Sequence, residues 1–262
     1  MDIESLRKKP HLSASSINDY MECGLLYKLS RIDRRVPEEK AEALLFGTTI
    51  HKTLAEFHQE KLSGETLSLA ALESLFEKHW REANEKNTIR YGKGKNPEVL
   101  LKDGVQLIGA YYEKQPPSFK ILAIEEPFRF MAGGIPIIGV FDLIEEDESG
   151  TLIVTDWKTS GKAYSTLEVD TNFQMTLYHM AVQAIGYGGR EILLRFDCLI
   201  KTMKPRFEQY YTTRNEMDGR RAVKKIQKVW EGIQKGVFIP NDLSWKCKNC
   251  SYKTFCEEWF QN

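Results

Sequence analysis

The residues of this sequence that are best suited to chemistry are two aspartates and a lysine, Asp142, Asp156 and Lys158. Residues 135–144 and 151–157 are rich in β-branched and aromatic side chains, and the acidic segment between them ends in glycine, which predicts a β-hairpin. Side chains alternate between the faces of a strand, so Asp156 and Lys158 project from one side. Asp142, at the end of the preceding strand, can join them if the strands are neighbours.

Two carboxylates and an ammonium group at one end of a sheet suit a hard divalent cation with oxygen ligands. The lysine would then lie beside the water that the cation activates. On its own, the spacing of Asp156 and Lys158 is more commonly that of a solvated strand edge. The metal interpretation therefore depends on the rest of the chain.

Charge is unevenly distributed along the chain. The 262 residues include 37 Lys/Arg and 37 Asp/Glu. Residues 125–150 carry seven acidic side chains against Arg129 alone, whereas residues 201–235 carry ten basic and four acidic ones. An acidic pocket beside a basic surface suits a metal site that receives a polyanion, although a basic helix face can also be merely solvated.

The sequence contains no apolar run near the roughly 20 residues that span a bilayer, and its first residues lack the apolar core of a signal peptide. We therefore expect a soluble, cytoplasmic protein. The length is sufficient for one sizeable core, or for one domain with a helical insertion.

Capping residues and apolar periodicity predict the helices of the first half. Ser13 is a good N-cap for a helix that runs to Leu29 and contains Cys23. Thr48 predicts the start of a second helix, with His51 at the edge of its apolar stripe.

Two further helices, predicted over residues 67–86 and 96–114, have core-type apolar stripes and no obvious chemistry. An Asn-Pro pair starts the second of them, and Pro116 and Pro117 end it. Together they form the predicted helical insertion.

The second half combines strands and helices. A strand over residues 119–131 carries Glu125, which can face the site or the solvent, and a helix over 168–185 carries Gln174 and Tyr178 on one face.

Strands over 191–200 and 207–212 follow, and Thr213 and Glu216 predict a capping box for a last helix that ends near residue 235. This order of elements predicts an α/β domain with a mixed sheet and helices on both faces.

The cysteines form the second informative pattern. Cys247, Cys250 and Cys256 form a C-x2-C-x5-C array, which in an intracellular protein indicates metal or redox chemistry rather than a disulfide. A fourth thiolate is needed. Cys198 lies in an apolar strand, where a buried free thiol is usual, so Cys23 near the other chain end is the better candidate. The ligands suit either Zn²⁺ or an iron–sulfur cluster.

With these segments in this order, the chain resembles the RecB-like branch of the PD-(D/E)XK nucleases. More narrowly, it resembles the members with a four-cysteine [4Fe–4S] cluster: the CRISPR-associated RecB-like exonucleases, the AddB nuclease domain, and the nuclease domain of eukaryotic replication helicase–nucleases. The matching segments are LSASSINDYMEC at 12–23, GTTIH at 47–51, GVFD at 139–142, DWK at 156–158, QMTLY at 174–178, and the three cysteines of the tail.

The resemblance implies a single nuclease domain over residues 1–262 with the restriction-endonuclease-like fold. This fold has a mixed central sheet flanked by helices, here with an N-terminal helical region, an insertion at 67–117 and a C-terminal cysteine-cluster tail at 245–260. The sequence departs from the family at Gly24, where proline is usual after the first cysteine, and in the length of the insertion.

The resemblance also implies the roles of the site residues. The expected ligands of Mg²⁺ or Mn²⁺ are His51, Asp142, Asp156 and the backbone carbonyl of Trp157. Lys158 would orient or deprotonate the attacking water, Gln174 and Tyr178 would position the nucleic-acid strand, and Glu125 is an additional acidic candidate. The expected ligands of a [4Fe–4S] cluster, with Zn²⁺ as the alternative occupant, are Cys23, Cys247, Cys250 and Cys256.

The implied function is that of a metal-dependent deoxyribonuclease that hydrolyses phosphodiester bonds, acting as an exonuclease on single-stranded DNA in repair, recombination or CRISPR adaptation. A helicase or a CRISPR integrase is the implied partner. The alternative is a catalytically inactive DNA-binding or assembly subunit of such a complex, although the complete set of His51, Asp142, Asp156 and Lys158 argues against it. A third hypothesis is a zinc-stapled nucleic-acid-binding module without catalysis.

Overall fold

The computed structural model describes residues 2–115 and 119–261, and a five-stranded sheet forms its centre. The strands are, in chain order, β1 (Lys40–Ala41), β2 (Ile89–Arg90), β3 (Lys120–Ala132), β4 (Ile135–Glu146), β5 (Leu152–Ser160), β6 (Ile192–Ile200) and β7 (Arg206–Thr212). The central sheet has the order β3-β4-β5-β6-β7, in which β5 and β6 are parallel and the other neighbours antiparallel. β1 and β2 form a separate parallel pair.

Helices cover both faces of this sheet, which confirms the predicted α/β class with a mixed central sheet. The α-helices are α1 (Ile3–Arg7), α2 (Ala14–Glu22), α3 (Gly24–Tyr27), α4 (Glu42–Leu62), α5 (Leu69–Glu85), α6 (Pro97–Lys114), α7 (Thr166–Asp170), α8 (Phe173–Val182), α9 (Glu216–Gln234) and α10 (Lys253–Gln261). The turns Lys28–Ile32 and Gln183–Tyr187 are π-helical, and Trp245–Asn249 is a 3₁₀ turn. In the residues described, no helix is both long enough and apolar enough to cross a membrane.

The sheet separates two apolar cores. Buried side chains of α4, α5 and α6 pack on one face, where the core includes Phe57, Phe76 and Trp157. Residues of α2, α8 and α9 pack on the other face, together with Phe196 of β6. Because both faces are covered, β6 is apolar along most of its length, and β5 is apolar in its first three residues and at Trp157. The charged residues within these two strands are therefore exceptions.

The first predicted helix is interrupted at Cys23. Ser13 caps α2 as expected, since its Oγ accepts the N–H of Ser16 at 3.2 Å, but the helix ends at Glu22. Cys23 is extended, with φ −159° and ψ 110°, and its sulfur accepts the N–H of Leu26 at 3.4 Å. Cys23 is therefore the N-cap of α3 and does not lie within one continuous helix.

Gly24 allows a distant segment of the chain to pack closely against the start of α3. A Cβ atom there would lie 2.7 Å from the backbone nitrogen of Ile239, closer than side chains tolerate. A glycine thus allows the segment that leads to the C-terminal tail to approach the start of α3. This contact gives a structural reason for the departure from proline.

The helix that carries His51 begins earlier than predicted. Thr48 is not its cap but lies inside α4, where its Oγ1 donates to the carbonyl of Leu44 at 2.9 Å. Leu45 and Phe46, which precede Thr48, are buried in the core, and their packing favours the helical conformation over the earlier turns. His51 consequently lies near the middle of a rigid helix.

The two helices predicted over residues 67–86 and 96–114 largely follow their predictions. α5 begins two residues later than predicted, with Ser68 as its cap, and α6 begins at Pro97 with the Asn96 side chain accepting the N–H of Val99 at 2.8 Å. α6 ends at Lys114. Pro116 and Pro117, which were predicted to end it, lie outside the described residues.

Two predictions of the second half are wrong in detail. The single helix predicted over 168–185 is divided into α7 and α8, because the side chain of Asn172 caps α8 by accepting the N–H of Met175 at 3.2 Å. The cap of α9 is formed by Asn215 and Asp218 instead of Thr213 and Glu216. Asn172 thereby determines the register at which α8 presents Gln174 and Tyr178.

Candidate active site

Asp142 lies where the pairing of β4 with β5 ends. It is inside β4 and not at its end as predicted, and the paired register stops next to it, at Leu143 and Thr155. Its Oδ2 accepts the backbone N–H of Trp157 at 2.8 Å. The carboxylate is therefore fixed between the two strands and is 6% exposed.

Two further potential metal ligands converge on this carboxylate. His51 of α4, Glu125 of β3 and Asp142 each offer one ligand atom, and these atoms lie within 4.8 Å of one another. Nδ1 of His51 is 3.4 Å from Oδ2 of Asp142. Residues 2–115 and 119–261 contain no other such group of three histidines, cysteines or acids. The mixture of carboxylate oxygens and one imidazole suits a divalent cation.

Glu125 is strained and electrostatically destabilised in its charged form. Its φ of +48° is unusual for a residue other than glycine, and such strain costs about 1–3 kcal/mol and is often found at functional sites. Glu125 is an exposed residue overall, but partial loss of solvation at its carboxyl and the negative charge of Asp142 raise the pKa of this group to about 7. A bound cation would relieve this repulsion.

A second cluster joins β5 to α8. Nζ of Lys158 lies 2.6 Å from Oδ2 of Asp156 and donates to Oε1 of Gln174 at 2.9 Å. Nε2 of Gln174 donates to Oδ1 of Asp156 at 2.8 Å and to the hydroxyl of Tyr178 at 2.9 Å. The Tyr178 hydroxyl in turn donates to the carbonyl of Val140 at 2.8 Å. The predicted site residues on these two elements are thus in direct contact.

Burial and charge act against each other in this cluster. Burial raises the pKa of Asp156, and the charge of Asp142 raises it further, although Lys158 opposes both. Burial disfavours the charged form of Lys158, but Asp156 outweighs it and the pKa of the lysine is raised. Burial likewise opposes protonation of His51, yet Asp142 and Asp156 raise its pKa overall. Lys158 is therefore an ammonium ion in this arrangement.

Trp157 separates the site from the core beneath it. Its indole is fully buried, and the ring of His58 stacks on it at a centroid distance of 5.6 Å and an angle of 17°. The ring of His51 meets it edge-on at 5.8 Å. Burial lowers the pKa of His58 to about 3, so this imidazole is neutral. The role of the Trp157 carbonyl as a metal ligand stays a prediction.

The sequence interpretation missed a buried ionic cluster on the same strands. Nε of Arg195 lies 2.9 Å from Oδ1 of Asp197, and its NH2 donates to Oε2 of Glu145 at 2.7 Å. All three side chains are almost completely buried. Gln209 also donates to Asp197, at 2.7 Å. Arg195 and Asp197 lie two residues apart in the otherwise apolar strand β6. Their opposite charges were the feature of the sequence that could have predicted a buried ion pair.

The cysteines predicted as cluster ligands line a single cavity. Cys23, Cys247, Cys250 and Cys256 border a space of about 180 Å³ between α3 and α10. In the part of the chain that the structure describes, no three of their sulfurs lie within 4.8 Å of one another. This differs from a closed zinc site, whose bonds of about 2.3 Å hold the thiolates about 4 Å apart.

Cys198 differs from these four cysteines. It is buried within β6 and does not border their cavity, and burial raises the pKa of its thiol to about 12. It therefore has the properties of an inert core thiol.

Comparison with known proteins adds the family context. The family model of the PD-(D/E)XK nuclease superfamily matches residues 11–257. The "Gene 69 protein" of Mycobacterium phage D29 is 26% identical over 275 residues, which cover 95% of this chain and 97% of the phage protein. A crystal structure described as a "Putative exonuclease" from Eubacterium rectale has a TM-score of 0.59, with 14% identity over 94% of this chain and 89% of the other. This last similarity is one of fold.

Proposed function

The chain belongs to the PD-(D/E)XK nuclease superfamily, and from this premise we propose that it is a metal-dependent deoxyribonuclease that acts as an exonuclease on single-stranded DNA. One observation carries the proposal. The imidazole and carboxylates of His51, Glu125 and Asp142 converge next to a buried ion pair of Asp156 and Lys158. A binding module has no need for two carboxylates and an imidazole held beside a buried aspartate–lysine ion pair.

The metal would be Mg²⁺ or Mn²⁺. The residues that would hold it are His51, Asp142, Asp156 and the backbone carbonyl of Trp157, with Glu125 beside them. The fit rests on the oxygen-rich donor set. Burial raises the pKa values of Glu125 and Asp156, and the negative charge of Asp142 raises both further, so a cation here would lower the cost of keeping these carboxyls ionised. When bound, the cation would supply a water of lowered pKa and positive charge for the transition state.

Lys158 would orient the attacking water and stabilise negative charge that develops on the phosphate. Its raised pKa favours these roles over removal of a proton from the water. Gln174 holds both Lys158 and Asp156 in place, and Tyr178 anchors Gln174 to β4. We expect Gln174 and Tyr178 also to position the DNA strand.

A cavity beside the metal ligands offers space for the nucleic acid. It measures about 610 Å³ and is lined by residues of α4, including His51 and Lys52, together with Glu125. We also propose that residues 1–262 form one domain of the RecB-like branch, with residues 67–117 as an insertion. A helicase or an integrase in repair, recombination or CRISPR adaptation is the proposed setting.

The decisive experiment measures cleavage of single-stranded DNA labelled at the 5′ or the 3′ end, with Mn²⁺ and protein purified without oxygen. We expect the wild type to degrade the strand and Lys158→Ala to be slower by about 10²–10³-fold, the effect of losing one charge-stabilising donor. The label pattern reports the polarity.

The matched control is Lys120→Ala. This exposed lysine pairs with Glu146 at 3.1 Å, away from the site, and its removal should leave the rate unchanged. Failure of a folded wild-type protein to cleave DNA with any divalent metal would favour the inactive DNA-binding subunit.

We further propose that Cys23, Cys247, Cys250 and Cys256 hold a [4Fe–4S] cluster, with Zn²⁺ as the alternative. All four cysteines line one cavity, whose other lining includes Leu25, Leu29 and Phe260. Such a cluster would tie the C-terminal tail to α3 and so would support folding rather than catalysis.

Replacing one of these cysteines should remove the bound group. We expect Cys247→Ala to be colourless and poorly soluble, because its cavity would lose the group that joins the two chain ends. Cys198→Ala is the matched control and should keep the visible absorption. Iron and zinc content, measured with absorption spectra, checks both outcomes; a soluble Cys247→Ala protein with unchanged colour and iron would contradict the assignment.

A further inference from the structure

A separate cavity, of about 340 Å³, borders the candidate active site. Gln174 and Tyr178 form part of its wall, and both contact Oδ1 of Asp156, at 2.8 and 3.3 Å. It shares no lining residue with the cavity beside His51 and Glu125. A ligand in this second cavity would therefore lie next to the reacting group without occupying the proposed metal site.

The lining of this cavity is suited to an anion. Arg7 of α1, Arg31 of the first π-helical turn and His11 line it together with hydroxyl groups of Ser13 and Ser15, and we call it the arginine pocket. No aspartate or glutamate of residues 2–115 and 119–261 belongs to its lining. Arginine presents a planar fork of donors that matches phosphate oxygens.

Both arginines are available to a ligand. Arg7 pairs with Glu4 at 2.8 Å and Arg31 with Asp19 at 2.9 Å, and the arginine side chains are 58% and 44% exposed. Such solvent-exposed ion pairs contribute little stability, so a more highly charged anion can compete for the guanidinium groups. The two arginines come from different elements, so they can approach one phosphate from two directions.

We propose that the arginine pocket binds the terminal phosphate monoester of a nucleic-acid strand whose nearby phosphodiester lies at Asp156 and Lys158. This inference rests on the proposed nuclease function and specifies its substrate. A phosphate monoester carries about −1.5 to −2 charges at pH 7, whereas an internal phosphodiester carries one. The charges of the two arginines thus favour the strand end over internal positions, which would account for the proposed exonuclease action.

The test measures equilibrium binding without divalent metal, in EDTA, to single-stranded oligonucleotides with an internal fluorescent label. One pair carries a 5′-phosphate or a 5′-hydroxyl, and the other a 3′-phosphate or a 3′-hydroxyl. We expect the wild type to bind one phosphorylated end about tenfold more tightly than its hydroxyl counterpart. The pair that shows the preference identifies which strand end the pocket takes.

The variants Arg7→Ala and Arg31→Ala should each reduce this preference about fivefold or more, the effect of losing a charge-assisted hydrogen bond. The matched control is Arg81→Ala, because Arg81 is similarly exposed and paired with Glu77 but lies on α5. If Arg31→Ala does not fold, Arg31→Lys is the substitute. It keeps the positive charge but removes the planar guanidinium group, and it should also weaken the preference for the phosphorylated strand end.

Equal affinity of the wild type for phosphorylated and hydroxyl ends would overturn the inference, as would a preference that survives both arginine substitutions. The outcomes distinguish this inference from the proposed nuclease function. Phosphate preference in a folded protein that cleaves no DNA refutes the nuclease alone, whereas metal-dependent cleavage without any phosphate preference refutes the pocket alone.

Discussion

Asp156→Asn is expected to reduce metal-dependent cleavage of single-stranded DNA by about 10³-fold, which corresponds to roughly 4 kcal/mol of transition-state stabilisation. Asp156 is 1% exposed and contacts Lys158 and Gln174 directly. The substitution keeps the size of the side chain but removes the charge that a metal would need and that holds the ammonium group. Initial rates at saturating Mn²⁺ measure the effect.

The protein should still fold, because asparagine can accept the hydrogen bond from Gln174 and the surrounding core is unchanged. Circular dichroism and thermal unfolding check this. Glu148→Gln is the control: it removes an exposed carboxylate from the turn between β4 and β5, and its rate should equal that of the wild type. A near-normal rate for Asp156→Asn would refute the assignment of this carboxylate.

Arg195→Met is expected to cost about 3–5 kcal/mol of the free energy of unfolding, the largest stability effect that we foresee. Arg195 is 1% exposed and pairs with Glu145 and Asp197, which are themselves buried. Methionine fills a similar volume but leaves two carboxylates without their counter-ion. Denaturant unfolding at pH 7 measures the loss.

The loss should depend on pH. Burial raises the pKa values of Glu145 and Asp197 in the folded protein, and Arg195 partly offsets this effect. Without the arginine these pKa values rise further, so the folded state takes up protons more readily than the unfolded state. The stability of the variant should therefore increase as pH falls from 8 to 5.

Arg220→Met is the matched control for this prediction. Arg220 is 67% exposed and pairs with Glu216 on one face of α9, so its loss should change the stability by less than about 0.5 kcal/mol. Equal stability of Arg195→Met and the wild type between pH 5 and 8 would show that the buried cluster does not require its central charge.

Much of the candidate site was predictable because its residues occur in short, ordered segments. Asp156 and Lys158 share a face through strand alternation alone, and Gln174 and Tyr178 share a face through helical spacing. The start of α6 at Asn96 and Pro97 was predictable for a similar reason. Helix capping and apolar periodicity involve residues only a few positions apart, so both can be predicted directly from the sequence.

Other features depended on residues distant in the sequence. Glu125 joins His51 and Asp142 because Ile124 pairs with Leu143 and Glu126 with Phe141, so the register of β3 and β4 places it opposite Asp142. The close packing at Gly24 depends on Ile239, which lies near the other end of the sequence. Local propensity contains no information about either partner.

The sequence determined the α/β class, the order of the five central strands and the main helices, and, with the family resemblance, most of the residues that meet at the candidate site. The tertiary structure alone decided where α4 begins, how α8 presents Gln174, and which charges are buried together, as in Glu145, Arg195 and Asp197. The physical reason is that hydrogen bonding and side-chain alternation are local, whereas burial and charge pairing are set by whichever distant segments the fold brings into contact.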